Sequence, residues 1–143
     1  MIDLALAGAM SRAALDKAEA LGALVSVAVV DAGGHLVHFQ RMDGAEIAGP
    51  TLATDKAFTA VAHRIATAEL GPLSVDGGPL QGLAANGGGR YVVFAGGLPC
   101  WSDGTGDGPD ARVIGGIGVS GGTAGEDAAI AAAGLAAYTD SSR

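Results

Sequence analysis

Val25–Ala45, VSVAVVDAGGHLVHFQRMDGA, is the stretch whose reading decides the fold. Residues 24–31 are apolar on both alternations, the pattern of a strand covered on both faces. Asp31-Ala32-Gly33-Gly34 reads as a turn, with glycines supplying positive φ. A second strand then returns, with Leu36, His38 and Gln40 on one face and His35, Val37, Phe39 and Arg41 on the other. Arg41-Met42-Asp43-Gly44 closes the unit, and Asp55-Lys56-Ala57 follows at the front of the next helix. Only 16% of the residues are charged, against roughly 25% in an average globular domain. The gathering of an Arg, a Lys and several carboxylates around one hairpin therefore makes it the first candidate for function.

Upstream, Asp3 is a plausible N-cap for a helix over 4–21 that ends at Gly22. Downstream, Pro50-Thr51 opens a helix that Gly71-Pro72 must end at the latest. Residues 71–89 are rich in Gly and Pro, with a short helix expected near 79–85. Strands are expected at about 90–95 and 97–102, joined by Gly96-Gly97, and again at 112–120 after the polar loop Ser102–Ala111. Thr123 and Glu126 form the capping box of a last helix over about 124–138. Short turns between neighbouring strands predict a largely antiparallel sheet with helices against it. The class is α+β, in one domain spanning 1–143.

Composition excludes several partners. The net charge is −7, and the eight Lys and Arg residues form no cluster, so no nucleic-acid footprint is expected. No apolar run is long enough for a transmembrane span, so no membrane partner is expected. The N-terminal stretch lacks a basic region and reads as an amphipathic helix, which makes the cytoplasm the expected location. Cys100 is the only cysteine, so neither a disulfide framework nor a Cys-based zinc site is expected. The poverty of charge suggests a homo-oligomer, a dimer or larger.

Gly116-Ile-Gly-Val-Ser-Gly121 matches a dinucleotide fingerprint, but no second strand follows to carry the ribose-binding acid. Helix–strand packing is the better account. Ile114, Gly116, Gly118 and Ser120 present a nearly bare strand face that a helix, a subunit or a flat ligand could approach closely, with packing favoured over a ligand floor. The histidines have no metal-ligand spacing. His35 and His38 lie on opposite strand faces, and His63 is on a helix. One His alone can be an axial haem ligand, and His35 is equally readable as a turn residue facing water. His38 is either a satisfied structural His or a pocket base. His63 is most simply a helix-surface residue. Lys56, among apolar residues, is either a base or carboxylate anchor, or an ion-pair partner of Asp43 or Glu46. Arg41 suits bidentate carboxylate binding, or a salt bridge to Asp43 or Asp31.

Together, the hairpin, the helix from Ala53 to Ala62, Gly96-Gly97-Leu98-Pro99 and VIGGIGVSGGTAGEDAAIAAAGL resemble the GlcG/HbpS-type haem-binding family, also found as the PduO C-terminal domain. The blocks stand in family order and cover most of the chain. The resemblance implies an antiparallel sheet of about five strands flanked by helices, oligomeric assembly, and haem or corrinoid binding. It puts His35 forward as a haem-iron ligand. Asp31, Arg41, Asp43 and Lys56 become the polar ligand-binding signature, and Gly121-Gly122 the signature turn. His38 and His63 depart from the pattern, standing where relatives usually carry apolar or aromatic residues, and the loop Ser102–Ala111 is longer and more acidic than usual.

Two readings follow. The first is a small-ligand-binding domain that sequesters or senses a tetrapyrrole or similar ligand, with haem as the cofactor. The alternative is a cofactor-independent lyase, isomerase or hydratase acting on a small oxygenated carboxylic acid. There Arg41 or Lys56 would bind the substrate, and His38, Lys56 and His63 would be the catalytic candidates.

Overall fold

The computed structural model describes residues 1–141. Eight principal elements follow the chain: α1 (Leu4–Leu21), β1 (Ser26–Asp31), β2 (Leu36–Arg41), α2 (Gly49–His63), α3 (Thr67–Leu73), β3 (Gly97–Trp101), β4 (Val113–Ser120) and α4 (Ala124–Ser141). A short 3₁₀ turn, Leu83–Ala85, and a glycine turn, Gly87–Gly89, with all three residues at positive φ, lie between α3 and β3. The strands form one sheet in the order β2-β1-β4-β3, with every pairing antiparallel.

Local signals set the element ends. Asp3 accepts the Leu6 N–H at 2.8 Å, and Gly22 closes α1 in the left-handed region at φ 70°. Thr123 and Glu126 exchange side-chain-to-backbone hydrogen bonds, which satisfies two N–H groups that α4 cannot bond internally.

The central strands β1 and β4 are buried on both faces. Val25, Val27, Val29, Ile117 and Val119 pack with α1 and α4 through Met10, Ala14, Ile130 and Ala131. Ala28 and Val30 pack the opposite face against Ala53, Ala57 and Val61 of α2. This is why residues 24–31 are apolar on both alternations. The bare face of β4 is a helix seat, as the packing account expects. A Cβ at Gly118 would collide with Ala53 O and stand 2.6 Å from Ala57 N.

The sheet has four strands among the described residues, not about five. The expected strand at 90–95 is instead tied to α2, where the Val92 N–H donates to Thr59 Oγ1 at 3.0 Å. A threonine hydroxyl thus takes the donor that a neighbouring strand would otherwise take. The helix begun at Gly49 ends at His63, within the limit expected from Gly71-Pro72. Arg64 takes the left-handed conformation at φ 56° and returns its N–H to Ala60 O. Pro72 then lies in the last turn of α3. The expected helix near 79–85 shrinks to the turn at Leu83–Ala85, and α4 runs on past 138 to Ser141. None of the described helices is long and apolar enough to cross a membrane.

Cys100 is fully buried in β3, and burial pushes its thiol up to about 12. A thiol with such a pKa holds almost no thiolate near neutrality. The native protein is therefore expected to resist a thiol-specific disulfide reagent, while the urea-unfolded chain reacts with one equivalent. Rapid reaction under native conditions would contradict this burial.

Candidate functional site

The hairpin turn holds the most organised polar group. Asp31 ends β1, and its Oδ1 accepts the Gly33 N–H at 2.9 Å and the His35 N–H at 3.0 Å. The same oxygen faces His35 Nδ1 at 3.2 Å. The His35 backbone N–H, with lesser help from Gly33 and the imidazole, holds the Asp31 carboxyl below the usual carboxylate range. In the neutral imidazole, an Nδ1–H directed at the Asp31 carboxylate leaves the lone pair on Nε2. The His35 side chain is 81% exposed, so that lone pair is open to a ligand. A Cβ at Gly33 would stand 2.8 Å from the imidazole, so glycine there makes room for the ring.

An aromatic group backs the turn. Gly34, at φ 79°, sits against Phe58, where a Cβ would meet the ring at 2.8 Å. Phe58 stacks parallel to Tyr91 at 6.4 Å, and Arg90 Cζ lies 3.7 Å from the Phe58 centroid. Arg90 Nε donates to Asp55 Oδ1 at 3.0 Å. His63 meets Tyr91 edge-on at 4.5 Å, with its buried Nδ1 unpaired. His63 therefore flanks this cluster and is not simply a surface residue. His38 points the other way, against α1 near Gly8, and its Nδ1 is also unpaired.

Lys56 stands elsewhere. It is 1% exposed, and Nζ donates to Val119 O at 2.9 Å and to Asp127 Oδ2 at 3.1 Å. Neither Asp43 nor Glu46 is its hydrogen-bonded partner; Asp127, in the first turn of α4, is. Asp127 Oδ1 also accepts the Gly122 N–H at 2.8 Å, which is how the Gly121-Gly122 turn joins the same group. Burial lowers the Lys56 pKa and raises that of Asp127, in each case against the pull of the partner's charge. The Phe94 ring lies 5.1 Å from Nζ.

Arg41 and Asp43 form a third place. Arg41 Nη2 donates to Ala45 O, which locks the hairpin exit by a backbone contact and not by a salt bridge to Asp43 or Asp31. The two residues line an open groove of about 380 Å³ with Arg12, Glu19 and Gln40. Arg41 pairs across the sheet with Ser26, at the opposite end of β1 from Asp31. Six extended residues separate those ends by roughly 17 Å at about 3.4 Å per residue. The signature residues are thus distributed: Asp31 and His35 at one sheet end, Arg41 and Asp43 at the other, and Lys56 with Gly122 in the interior.

The acidic loop Ser102–Ala111 satisfies itself. The Asp103 carboxylate accepts N–H groups from Gly106, Gly108 and Thr105, which hold its pKa below the usual range. Among the described residues no group of three or more His, Cys, Asp or Glu side chains is placed to hold a metal ion. A haem iron needs no such group, since one imidazole can hold it axially.

Sequence reasoning missed Asp127, Arg90 and Tyr91 as members of these groups. Asp127 was readable only as a dipole-compensating acid beside Glu126. For Arg90, the one local signal was an isolated cation after Gly87-Gly88-Gly89.

The family model described as "Haem degrading protein HbpS-like" matches residues 2–136. The chain is 39% identical over 128 residues to corrinoid adenosyltransferase PduO of Salmonella typhimurium, covering 90% of this chain. It spans only 36% of that protein's length. The crystal structure of Klebsiella pneumoniae protein ORFY superposes with a TM-score of 0.88 at 33% identity, covering 96% of this chain and 90% of the other. The structure of a PduOC:heme complex superposes with a TM-score of 0.85 at 35% identity, covering 95% and 94%.

Proposed function

The chain belongs to the HbpS-like family, and from that premise we propose that it binds haem at the β1–β2 turn, with His35 as the axial iron ligand. The observation that carries the reading is the Asp31–His35 pair. Metal-ligating histidines commonly give their second ring N–H to a carboxylate, which fixes the tautomer and raises the basicity of the ligating nitrogen. Asp31 is placed to do this at 3.2 Å, on a turn that it also closes through two backbone N–H groups. The residues fit the group in three respects: an exposed imidazole nitrogen, the Phe58 ring behind Gly34 with Tyr91 stacked on it, and a cation in Arg90 against that ring. Bound haem would supply an iron centre, which His35 would hold through Nε2 with Asp31 fixing the ring.

The role follows as sequestering or sensing a tetrapyrrole. The exposure of His35 and of Leu36, 52% exposed on the edge strand β2, supports a second copy of the chain as the other wall of the site. A lyase, isomerase or hydratase acting through the residues named for it would need Arg41 or Lys56 and a histidine in one pocket. Arg41 lines the groove with Asp43, Lys56 is buried against Asp127, His38 lies near Gly8 and His63 meets Tyr91, so these four stand in four different surroundings.

The test is a haemin titration of the purified protein, followed by the Soret band. A saturable, stoichiometric shift is expected, lost in His35→Ala. Asp31→Asn keeps an acceptor for the turn but removes the charge, and should weaken binding about 10-fold or more, the usual cost of losing such a partner. Weak, unsaturable binding that His35→Ala leaves unchanged would discard haem as the ligand.

A further inference from the structure

Arg90 has no part in the fold's core, yet it is held with care. It follows Gly87, Gly88 and Gly89, all at positive φ, so the chain there takes a path open to few other residues. Asp55 fixes its Nε at 3.0 Å, and the guanidinium lies 3.7 Å from the Phe58 centroid. Its terminal nitrogens have no hydrogen-bond partner among the described residues. The side chain remains 42% exposed. Phe58 in turn packs against Gly34, the residue next to His35.

One ring therefore separates a preorganised guanidinium from the turn that carries the free imidazole nitrogen. We infer that Arg90 is the carboxylate anchor of the ligand held at His35. This rests on the haem reading and deepens it. The ligand class is a flat metal-bearing macrocycle with carboxylate side arms, the iron on the imidazole and an acid group on the guanidinium. Asp55 and Phe58 occupy Nε and one face of Arg90, leaving the terminal N–H groups for a planar anion. Arg suits this role because its rigid fork matches a carboxylate and loses little freedom on binding. Lys in the same place would keep the charge but lose both the fork and the stacking.

The experiment compares haemin with its dimethyl ester, which retains the iron and the ring but has no anionic arms. Both are titrated against the wild-type protein, Arg90→Gln, Arg90→Lys and His35→Ala. The wild type should bind the free acid about tenfold more tightly than the ester, the scale of one charge-assisted contact at a part-exposed site. Arg90→Gln should bring the two affinities together while the saturating Soret shift survives, which also shows that the variant is folded. Arg90→Lys should keep part of the preference. His35→Ala should lose the Soret shift with both porphyrins. A preference for the free acid that persists undiminished in Arg90→Gln would overturn the anchor and leave haem ligation standing. No saturable shift with either porphyrin in the wild type would remove the haem reading, and this inference with it.

Discussion

Lys56→Met is expected to cost about 3–5 kcal/mol of folding stability, the range seen when one partner of a buried ion pair is removed. Lys56 Nζ bridges Val119 O and Asp127, and both side chains are almost wholly inside the protein. The substitution leaves the Asp127 carboxylate in the interior with only backbone N–H groups to meet its charge. Its pKa is already raised by burial, and the Lys56 charge is the main influence opposing that rise. Without Lys56 it should rise further.

The pH dependence follows with a definite sign. A carboxyl whose folded pKa exceeds its unfolded value penalises the folded state above the folded pKa. That penalty fades as pH falls toward 3.8, where the unfolded carboxyl also takes its proton. The deficit of Lys56→Met should therefore be greatest near neutrality and shrink on acidification. Lys56→Met combined with Asp127→Asn should recover most of the loss, because Asn keeps an acceptor for the Gly122 N–H and no charge remains buried. Urea unfolding of the three proteins at several pH values measures all of this. A single variant as stable as the wild type at neutral pH would show that the pair is not a structural element. Asp127 also ties the Gly121-Gly122 turn to α2, so the same variants test what holds α4 to the end of the sheet.

Gly118→Ala is the second large effect, expected at about 3 kcal/mol, the upper part of the range for overpacking a core. The added methyl would meet Ala53 O and Ala57 N, which are backbone atoms of α2 and cannot rotate aside. Relief requires α2 to move off the sheet as a unit, and α2 carries Lys56, Phe58 and Asp55. Gly116→Ala, two residues earlier on the same face, meets Val61 Cγ2 first at 2.8 Å, the end of a side chain that can shift, and should cost less. Gly125→Ala, in the first turn of α4 with open space around it, should be neutral or stabilising by about 0.5 kcal/mol, since alanine is the better helix residue. Thermal or urea unfolding should return this order. A Gly118→Ala protein as stable as Gly125→Ala would mean that α2 does not seat directly on the β4 backbone.

The local grammar of the chain was legible before any coordinates. Asp3, Gly22 and the Thr123–Glu126 box act within one helical turn of themselves, so the residues alone reveal them. The hairpin is equally local, and its two-sided apolar strand announced a sheet covered on both faces. The bare stripe of β4 announced a close approach, and α2 is what makes it. The resemblance carried by these blocks pointed to the family that the model match over residues 2–136 bears out.

What only the tertiary structure decided lies in contacts between distant residues. Val92 donates to Thr59, 33 positions away, so a segment with strand composition is held by a helix and the sheet keeps four strands. Lys56 finds Asp127 at a separation of 71, where no periodicity could have linked them. Arg90 reaches Asp55 and Phe58 across 35 and 32 positions, turning an isolated cation into part of the group that backs Gly34. Sequence patterns report faces and ends, because those repeat every two or 3.6 residues. They do not report which faces meet. The polar signature Asp31, Arg41, Asp43 and Lys56, with His35 among it, reads as one cluster along the chain, yet a strand and a helix carry these residues to three separate places.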